Sequence, residues 1–315
     1  MTDSDKENRE LKTLGRVFDI KRGATGDGPG LRTLVFLKGC PLRCRWCANP
    51  ESQSVKPQVM YYPKLCVDCG KCVAACPTHA IRSDERFGLI TDEAACTACG
   101  LCEEACLYGA RKLMGREMSV SDVMETVRRD KAHYINAGGG VTVSGGEPLM
   151  QPDFILALLK ACKQDGIHTA METCGYASWE SLAAVLPYLD LIFYDLKIVD
   201  AKDHKEATGR DNARILENLK KLNMAYGGEI IVRIPYIPGY NDDIMTQEGI
   251  YRYVGCLKRV NCIEIMPYHR LGESKYTGLG REYALSGVPQ VKKQDITHLI
   301  QLGEQCGVPV QIDSK

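Results

Sequence analysis

The stretch TLVFLKGCPLRCRWCANPE, residues 33–51, joins an apolar run to three cysteines, Cys40, Cys44 and Cys47, spaced C-x3-C-x2-C. TLVFLK (33–38) has the length and composition of a buried strand. The cysteines follow at once, so a metal-binding loop is expected at the end of that strand. Cysteine metal sites normally use four ligands. This set has three, and the next cysteine, Cys66, opens a different pattern.

Further along, five more runs read as strands: VTVSG (141–145), IHTAME (167–172), LIFYDLK (191–197), EIIVRIP (229–235) and CIEIMP (262–267). Segments with helical spacing, such as DFILALLKACKQDG and NARILENLKKLN, lie between most of them. Strands alternating with helices imply an α/β fold with a parallel sheet. Six such units predict a partial (β/α)6 TIM-like barrel. Residues 55–115 break the rhythm, which predicts three segments: 1–54 as the first part of the barrel, 55–115 as an insert and 116–315 as the rest. The unusual polar residues fall at strand ends: GGEP after the second strand, ETCG at the third, Asp195 and Lys197 at the fourth. Arg233 sits in the fifth, and His269 follows the sixth. Parallel barrels carry their active sites at the C-terminal ends of the strands, so these loops are expected to surround one site.

Lys+Arg and Asp+Glu are equal at 40 each, which gives no support for nucleic acid or an anionic membrane as partner. No run approaches the ~18 apolar residues of a membrane-spanning helix, and the charged start, MTDSDKENRE, is unlike a signal peptide. A cytoplasmic protein is expected. Sixteen cysteines in such a chain point to metal ligation and not to disulfides, the more so because eleven lie between Cys40 and Cys106.

Within the insert, CVDCGKCVAACP (66–77) and CTACGLCEEACL (96–107) are both C-x2-C-x2-C-x3-C. This is the spacing of bacterial two-cluster ferredoxins, in which the fourth cysteine of each run ligates the other cluster. A ferredoxin-like domain with two [4Fe-4S] clusters is the expectation. Cys66, Cys69, Cys72 and Cys106 would hold one cluster, and Cys96, Cys99, Cys102 and Cys76 the other. Zinc also takes four cysteines and stays as the alternative metal. The clusters could relay electrons or hold the insert together.

Three thiolates leave one iron of a [4Fe-4S] cube open for chemistry. Cys174 is the alternative occupant of that position, since it lies close to the presumed site. C-x3-C-x2-C with Trp46 before the last cysteine resembles the radical S-adenosylmethionine superfamily. Ser144-Gly145-Gly146-Glu147-Pro148 matches its GGEP motif. GATGDGPGLRTLVFLKGCPLRCRWCANPE (23–51) looks like the signature of glycyl radical enzyme activating enzymes. The likeness continues through Glu172-Thr173, Asp195-Leu196-Lys197, Val232-Arg233, Pro238-Gly239 and MPYHRLGESKY (266–276).

The resemblance implies an oxidoreductase of anaerobic metabolism. It would cleave S-adenosylmethionine reductively at the three-cysteine cluster to methionine and a 5′-deoxyadenosyl radical. That radical would take a hydrogen atom from a glycine of a partner glycyl radical enzyme acting on choline, isethionate, glycerol or aryl substrates. It implies Cys40, Cys44 and Cys47 as the catalytic cluster's ligands. Trp46, Gly145, Gly146, Glu147, Lys197, Arg233 and His269 are implied as cofactor contacts. Glu172 and Asp195 are implied as ligands of a monovalent cation (Na+ or K+), or alternatively as partners of Lys197 and Arg233. Flavodoxin or ferredoxin is the implied electron donor, and a monomer is expected. The Asp27-Gly28-Pro29-Gly30 turn lines the substrate groove or simply leads into the first strand. Other readings are a radical enzyme that modifies a peptide or small molecule, and a ferredoxin-like electron carrier.

Overall fold

A computed structural model describes residues 3–313; residues 1–2 and 314–315, at the outer ends of the first and last expected segments, lie outside the described residues. The strands are β1 (Leu14–Ala24), β2 (Arg32–Leu37), β3 (Gln58–Tyr61), β4 (Ile81–Asp84), β5 (Gly88–Thr91), β6 (Arg111–Met114) and β7 (Arg116–Ser119). They continue as β8 (Gly140–Gly145), β9 (His168–Thr173), β10 (Leu191–Asp195), β11 (Glu229–Tyr236), β12 (Cys262–Pro267) and β13 (Val310–Ile312). Nine of them form one sheet in the order β13-β12-β11-β10-β9-β8-β2-β1-β7. From β2 to β13 every neighbouring pair is parallel, whereas β1 and β7 run antiparallel at the other edge. The sheet is open, with β13 and β7 as its edges.

All six expected strands are present, and the sheet has three more. β1 (LGRVFDIKRGA) carries Asp19, Lys21 and Arg22 and shows no apolar run, because only Gly15, Val17, Phe18 and Ala24 of its eleven residues are buried. β7 is four mostly polar residues and β13 only three. Each is fixed by its neighbour in the sheet and not by its own composition.

The parallel strands are apolar because both faces are covered. Val141 and Val143 of β8, Ile192 and Tyr194 of β10, and Ile263 and Ile265 of β12 are fully buried in the main core with Leu158, Leu182 and Leu219 of the covering helices. Helix starts follow local chemistry. Ser119 and Asp122 form a capping box at the helix Val120–Arg129, and Asp243 caps Ile244–Gly255 by accepting from the Thr246 N–H.

The segment between β2 and β7 leaves the main sheet. It forms two small antiparallel sheets, β3 with β6 and β4 with β5, and two one-turn helices, Lys71–Ala74 and Leu101–Glu104. Among the described residues no helix is long and apolar enough to cross a membrane.

Candidate active site

The cysteine loop closes on itself before it presents any side chain. The Gly39 N–H donates to the Ser52 carbonyl at 2.7 Å, so residues 39 and 52 meet at its base. The Arg43 and Arg45 N–H groups donate to the carbonyls of Thr208 and Ala207 at 2.7 and 3.2 Å, docking the loop on the end of the helix Ala201–Thr208.

The paired glycines of GGEP serve this loop directly. Gly145 has φ 121°, and a Cβ there would lie 2.2 Å from the Leu37 nitrogen. A Cβ on Gly146 would lie 2.2 Å from the Gly39 carbonyl oxygen. Only glycine lets the ends of β2 and β8 approach so closely. The Glu147 N–H then donates to the Gly39 carbonyl at 2.7 Å, tying the two loops together.

Cys40, Cys44, Cys47 and Trp46 line one cavity of about 290 Å³ with Gly145, Gly146, Glu172, Asp195, Lys197, Arg233 and His269. These come from six different parallel strands and the loops that follow them, with Arg233 inside β11. Glu147 is the exception. Its carboxylate is fully buried and accepts from the Thr173 hydroxyl (2.7 Å) and the Cys174 N–H (2.8 Å), so the side chain braces β9 and does not reach the cavity. Cys174 itself lines the cavity, next to Thr173.

The donor set suits a thiolate-bound cluster. Burial is the largest influence on all three thiols and raises each, Cys47 to about 12. Such thiols give up their protons only to a bound cation, which is how a metal centre holds them. Lys197 is the compensating charge nearby. Burial works against its charged form, but Asp195, at 3.0 Å, and the Cys44 and Cys174 sulfurs outweigh that and raise its pKa.

Arg233 is engaged more fully than a cofactor contact requires. Its guanidinium pairs with Glu172 and Glu264, donates to the Gly26 carbonyl at 2.9 Å, and lies 3.8 Å from Asp27. It also stacks over Phe193, 3.5 Å from the ring centroid. Burial pulls its pKa down, yet Glu172 and Glu264 hold it above the ordinary arginine value. Glu172 therefore has Arg233 and the Ser144 hydroxyl as partners, and Asp195 has Lys197. The 27–30 turn divides its roles: Asp27 lines the cavity, while Gly30 packs on the Ala137 carbonyl, where a Cβ would come within 2.2 Å.

Several site residues give no sign in the sequence. Glu264 looks like any polar strand position. Glu51 is buried under the cysteine loop and is held by Lys275 at 2.7 Å, which also bonds Asn49 at 2.6 Å. Tyr240 packs edge-on against Trp46, with centroids 5.3 Å apart. These contacts span up to 226 residues of chain, so no local pattern could carry them.

In the segment outside the sheet, Cys66, Cys69, Cys72 and Cys106 line one small cavity. Cys76, Cys96, Cys99 and Cys102 line a second. Each gathers three cysteines of one run and the fourth of the other. The surroundings repeat as well: the Asp68 and Ala98 N–H groups lie 3.4 Å from Cys66 and Cys96 Sγ, and those of Ala80 and Ala110 lie 3.2 Å from Cys76 and Cys106 Sγ. Burial alone would raise the Cys76 and Cys106 thiols, but backbone donors such as these bring both below the ordinary value. Among the described residues no three His, Cys, Asp or Glu side chains gather around a single ion-sized point.

Residues 34–247 match the radical SAM superfamily. The chain is 44% identical to the isethionate sulfite-lyase activating enzyme of Nitratidesulfovibrio vulgaris, over 89% of this chain and 92% of that protein. It is 43% identical to the (2S)-3-sulfopropanediol dehydratase activating enzyme of Klebsiella oxytoca, and 40% identical to the choline trimethylamine-lyase activating enzyme of Oleidesulfovibrio alaskensis. Each of those alignments covers 96% of this chain and 98% of the relative. A radical SAM methyltransferase structure from Sphaerobacter thermophilus shares the fold over 99% of this chain and 82% of its own, at TM-score 0.51 and 12% identity. The chain belongs to the radical SAM superfamily and, within it, to the activating enzymes of glycyl radical enzymes.

Proposed function

We propose that the protein installs a radical on one glycine of a partner glycyl radical enzyme, the kind of partner its relatives activate. The observation that carries this reading is the single cavity lined by Cys40, Cys44, Cys47, the Gly145-Gly146 backbone, Lys197 and His269. A [4Fe-4S] cluster on the three thiolates and S-adenosylmethionine beside it supply the one-electron chemistry that removes hydrogen from the glycine Cα.

The chain's own contribution is binding and orientation. Cys40, Cys44 and Cys47 would hold three irons of that cluster. The main chain at Gly145 and Gly146 lines the same wall, where its carbonyls accept from an ammonium. Lys197, buried and charged, favours a carboxylate. Trp46, packed on Tyr240, keeps water from one side of the pocket. His269 stands at the exposed rim, where the partner's glycine segment must enter. No side chain here needs to move a proton, because hydrogen-atom transfer requires no base.

The finer parts of the proposal concern the rest of the chain. The insert at 55–115 is read as a ferredoxin-like domain between the barrel segments 1–54 and 116–315. It would carry two [4Fe-4S] clusters on the crossed cysteine sets, a reading supported by the two cavities and their repeated N–H···S contacts. A flavodoxin or ferredoxin would supply the electrons. Glu172 and Asp195 are read as partners of Arg233 and Lys197, because those ion pairs neutralise both carboxylates without Na+ or K+.

Incubation with a partner enzyme deuterated at its radical glycine tests the function. Deuterium in 5′-deoxyadenosine together with a glycyl radical signal in the partner supports it. Cofactor cleavage with neither would leave a peptide- or small-molecule-modifying enzyme as the better reading.

A further inference from the structure

Eleven of the sixteen cysteines belong to the three motifs, and five do not: Cys162, Cys174, Cys256, Cys262 and Cys306. Four of these five do not line the active-site cavity. Cys162 is sealed in the main core, its sulfur 3.7 Å from that of Met124, and Cys256 lies exposed after the helix Ile244–Gly255. Cys262 opens β12, at the end of the strand away from the cavity, and Cys306 follows the helix His298–Gln305. Cys174 alone of the five shares a cavity wall with Cys40, Cys44 and Cys47.

The main chain at Cys174 is pinned on both sides. The Cys174 N–H donates to the Glu147 carboxylate at 2.8 Å, and the Gly175 N–H donates to the Thr173 hydroxyl at 2.9 Å. Gly175 has φ 69°, its carbonyl accepts from the Asn218 side chain at 2.8 Å, and a Cβ on it would overlap the Tyr194 hydroxyl. The sulfur keeps one side-chain torsion, so it moves among a few staggered positions at the cavity wall. Cys174 is 6% exposed. Burial comes first in raising its thiol pKa, followed by Glu147 and Cys40, while Lys197 lowers it. The thiol thus stands beside one cysteine of the motif and beside the buried ammonium that offsets thiolate charge.

We infer that Cys174 is an exchangeable fourth ligand of the three-cysteine cluster: its thiolate completes the set while the cofactor is away and leaves when S-adenosylmethionine arrives. The inference deepens the proposed function and rests on the cluster placed there on Cys40, Cys44 and Cys47. A cube held by three thiolates has one iron without a protein ligand, and a thiolate is the ligand type that such iron prefers. The insert follows the same count, since each of its cavities gathers four cysteines. When Cys174 binds, its S–H bond breaks, a sulfur–iron bond forms, and the proton leaves to solvent. The cofactor reverses this by taking the iron, and the thiolate recovers a proton from solvent. No electron is transferred in either direction. Cys174 so placed guards the open iron against loss and competes with the cofactor for it.

The test labels the open iron of the anaerobic holoenzyme. Mild oxidation strips the most weakly held iron, Mössbauer-active iron(II) is added back, and the spectrum reports the ligands of that iron. The triple variant Cys40→Ala, Cys44→Ala, Cys47→Ala gives the background from the insert. Without cofactor, the labelled iron of the unaltered protein should show an all-sulfur site, and that of Cys174→Ala a site with an oxygen ligand. Cys174→Val, which keeps the volume but offers no ligand, should match Cys174→Ala. Adding S-adenosylmethionine should bring all three proteins to one spectrum. Loss of the open iron, followed by the [3Fe-4S] electron paramagnetic resonance signal, should be about tenfold faster in both variants, the low end of what removing a supporting group does to metal affinity. Both should also bind the cofactor about tenfold more tightly, because no thiolate has to leave first. Cys262→Ala, away from the cavity, should match the unaltered protein in every readout. Identical spectra for unaltered protein and Cys174→Ala before cofactor is added would overturn the inference. An all-sulfur site that persists in the unaltered protein after cofactor is added would overturn the exchange. Spectra that the cofactor leaves unchanged in all three proteins would instead sink the placement of S-adenosylmethionine at this cluster.

Discussion

Glu51 illustrates how a single side chain holds the cysteine loop. Its carboxylate is buried, one oxygen is bonded by Lys275, and the other has no protein partner, while the Lys38 ammonium caps its backbone carbonyl at 2.6 Å. Lys275→Met removes the cation paired with that carboxylate and should cost about 1–3 kcal/mol, the range for stranding a buried acceptor. Thermal melts check the stability. The electron paramagnetic resonance line shape of the three-cysteine cluster checks whether the loop has shifted, and Glu51→Gln combined with Lys275→Met should recover part of the loss. Two histidines add a pH dependence. His204 and His168 are held below the ordinary histidine pKa, mainly by burial, and the His204 Nε2 is buried with no partner. Each binds fewer protons folded than unfolded, so its contribution is complete above about pH 6.5 and is lost as pH falls below that. The melting temperature should therefore drop between pH 7 and 5.5, and His204→Gln should flatten the drop.

At the scale of elements, the stretch from Gly272 to Tyr283 joins the cysteine loop to the insert. A Cβ on Gly272 would lie 2.9 Å from the Cys47 carbonyl oxygen, and the helix Glu273–Gly278 carries Lys275 toward Glu51. Gly278 packs on β3, where a Cβ would lie 2.4 Å from the Tyr61 carbonyl oxygen, and Arg281 pairs with Glu93 just before Cys96. Gly278→Val should force this helix off β3 at a cost of about 1–3 kcal/mol, the usual range for overpacking. Hydrogen exchange should then rise in β3 and in 273–278 together, whereas loss of the exposed Arg281–Glu93 pair by Arg281→Ala should change exchange little. None of this stretch was legible beyond the motif it contains. The six parallel strands could be read because burial on both faces makes each a continuous apolar run. The cysteine runs could be read because their spacings are short. β1, β7 and β13 could not, since their pairing is decided by neighbours, and neither could Glu264 or Glu51, whose partners lie 31 and 224 residues away. At Glu147 the motif marks the turn, and bonds to Thr173 and Cys174, 26 and 27 residues away, turn the side chain inward.

For the whole molecule, the decisive quantity is how iron divides among the cysteines. The three cubes proposed per chain would require about twelve irons. Cys40→Ala, Cys44→Ala and Cys47→Ala together should leave about eight, with the insert intact, because the other two sets contain none of those residues. The crossed arrangement makes a sharper prediction, since sequence proximity and spatial grouping disagree. Cys66 and Cys106 line the same cavity although 40 positions apart, while Cys102 and Cys106, one helical turn apart, line different ones. A Cys66→Ala, Cys106→Ala pair should therefore remove one cluster and leave about eight irons, and a Cys102→Ala, Cys106→Ala pair should remove two and leave about four. Iron analysis of anaerobically reconstituted protein, with Mössbauer spectra to count intact cubes, separates the outcomes. Uncrossed ligation would reverse the order of the two pairs, and equal losses from both would mean that the insert falls apart as one unit once either set is broken.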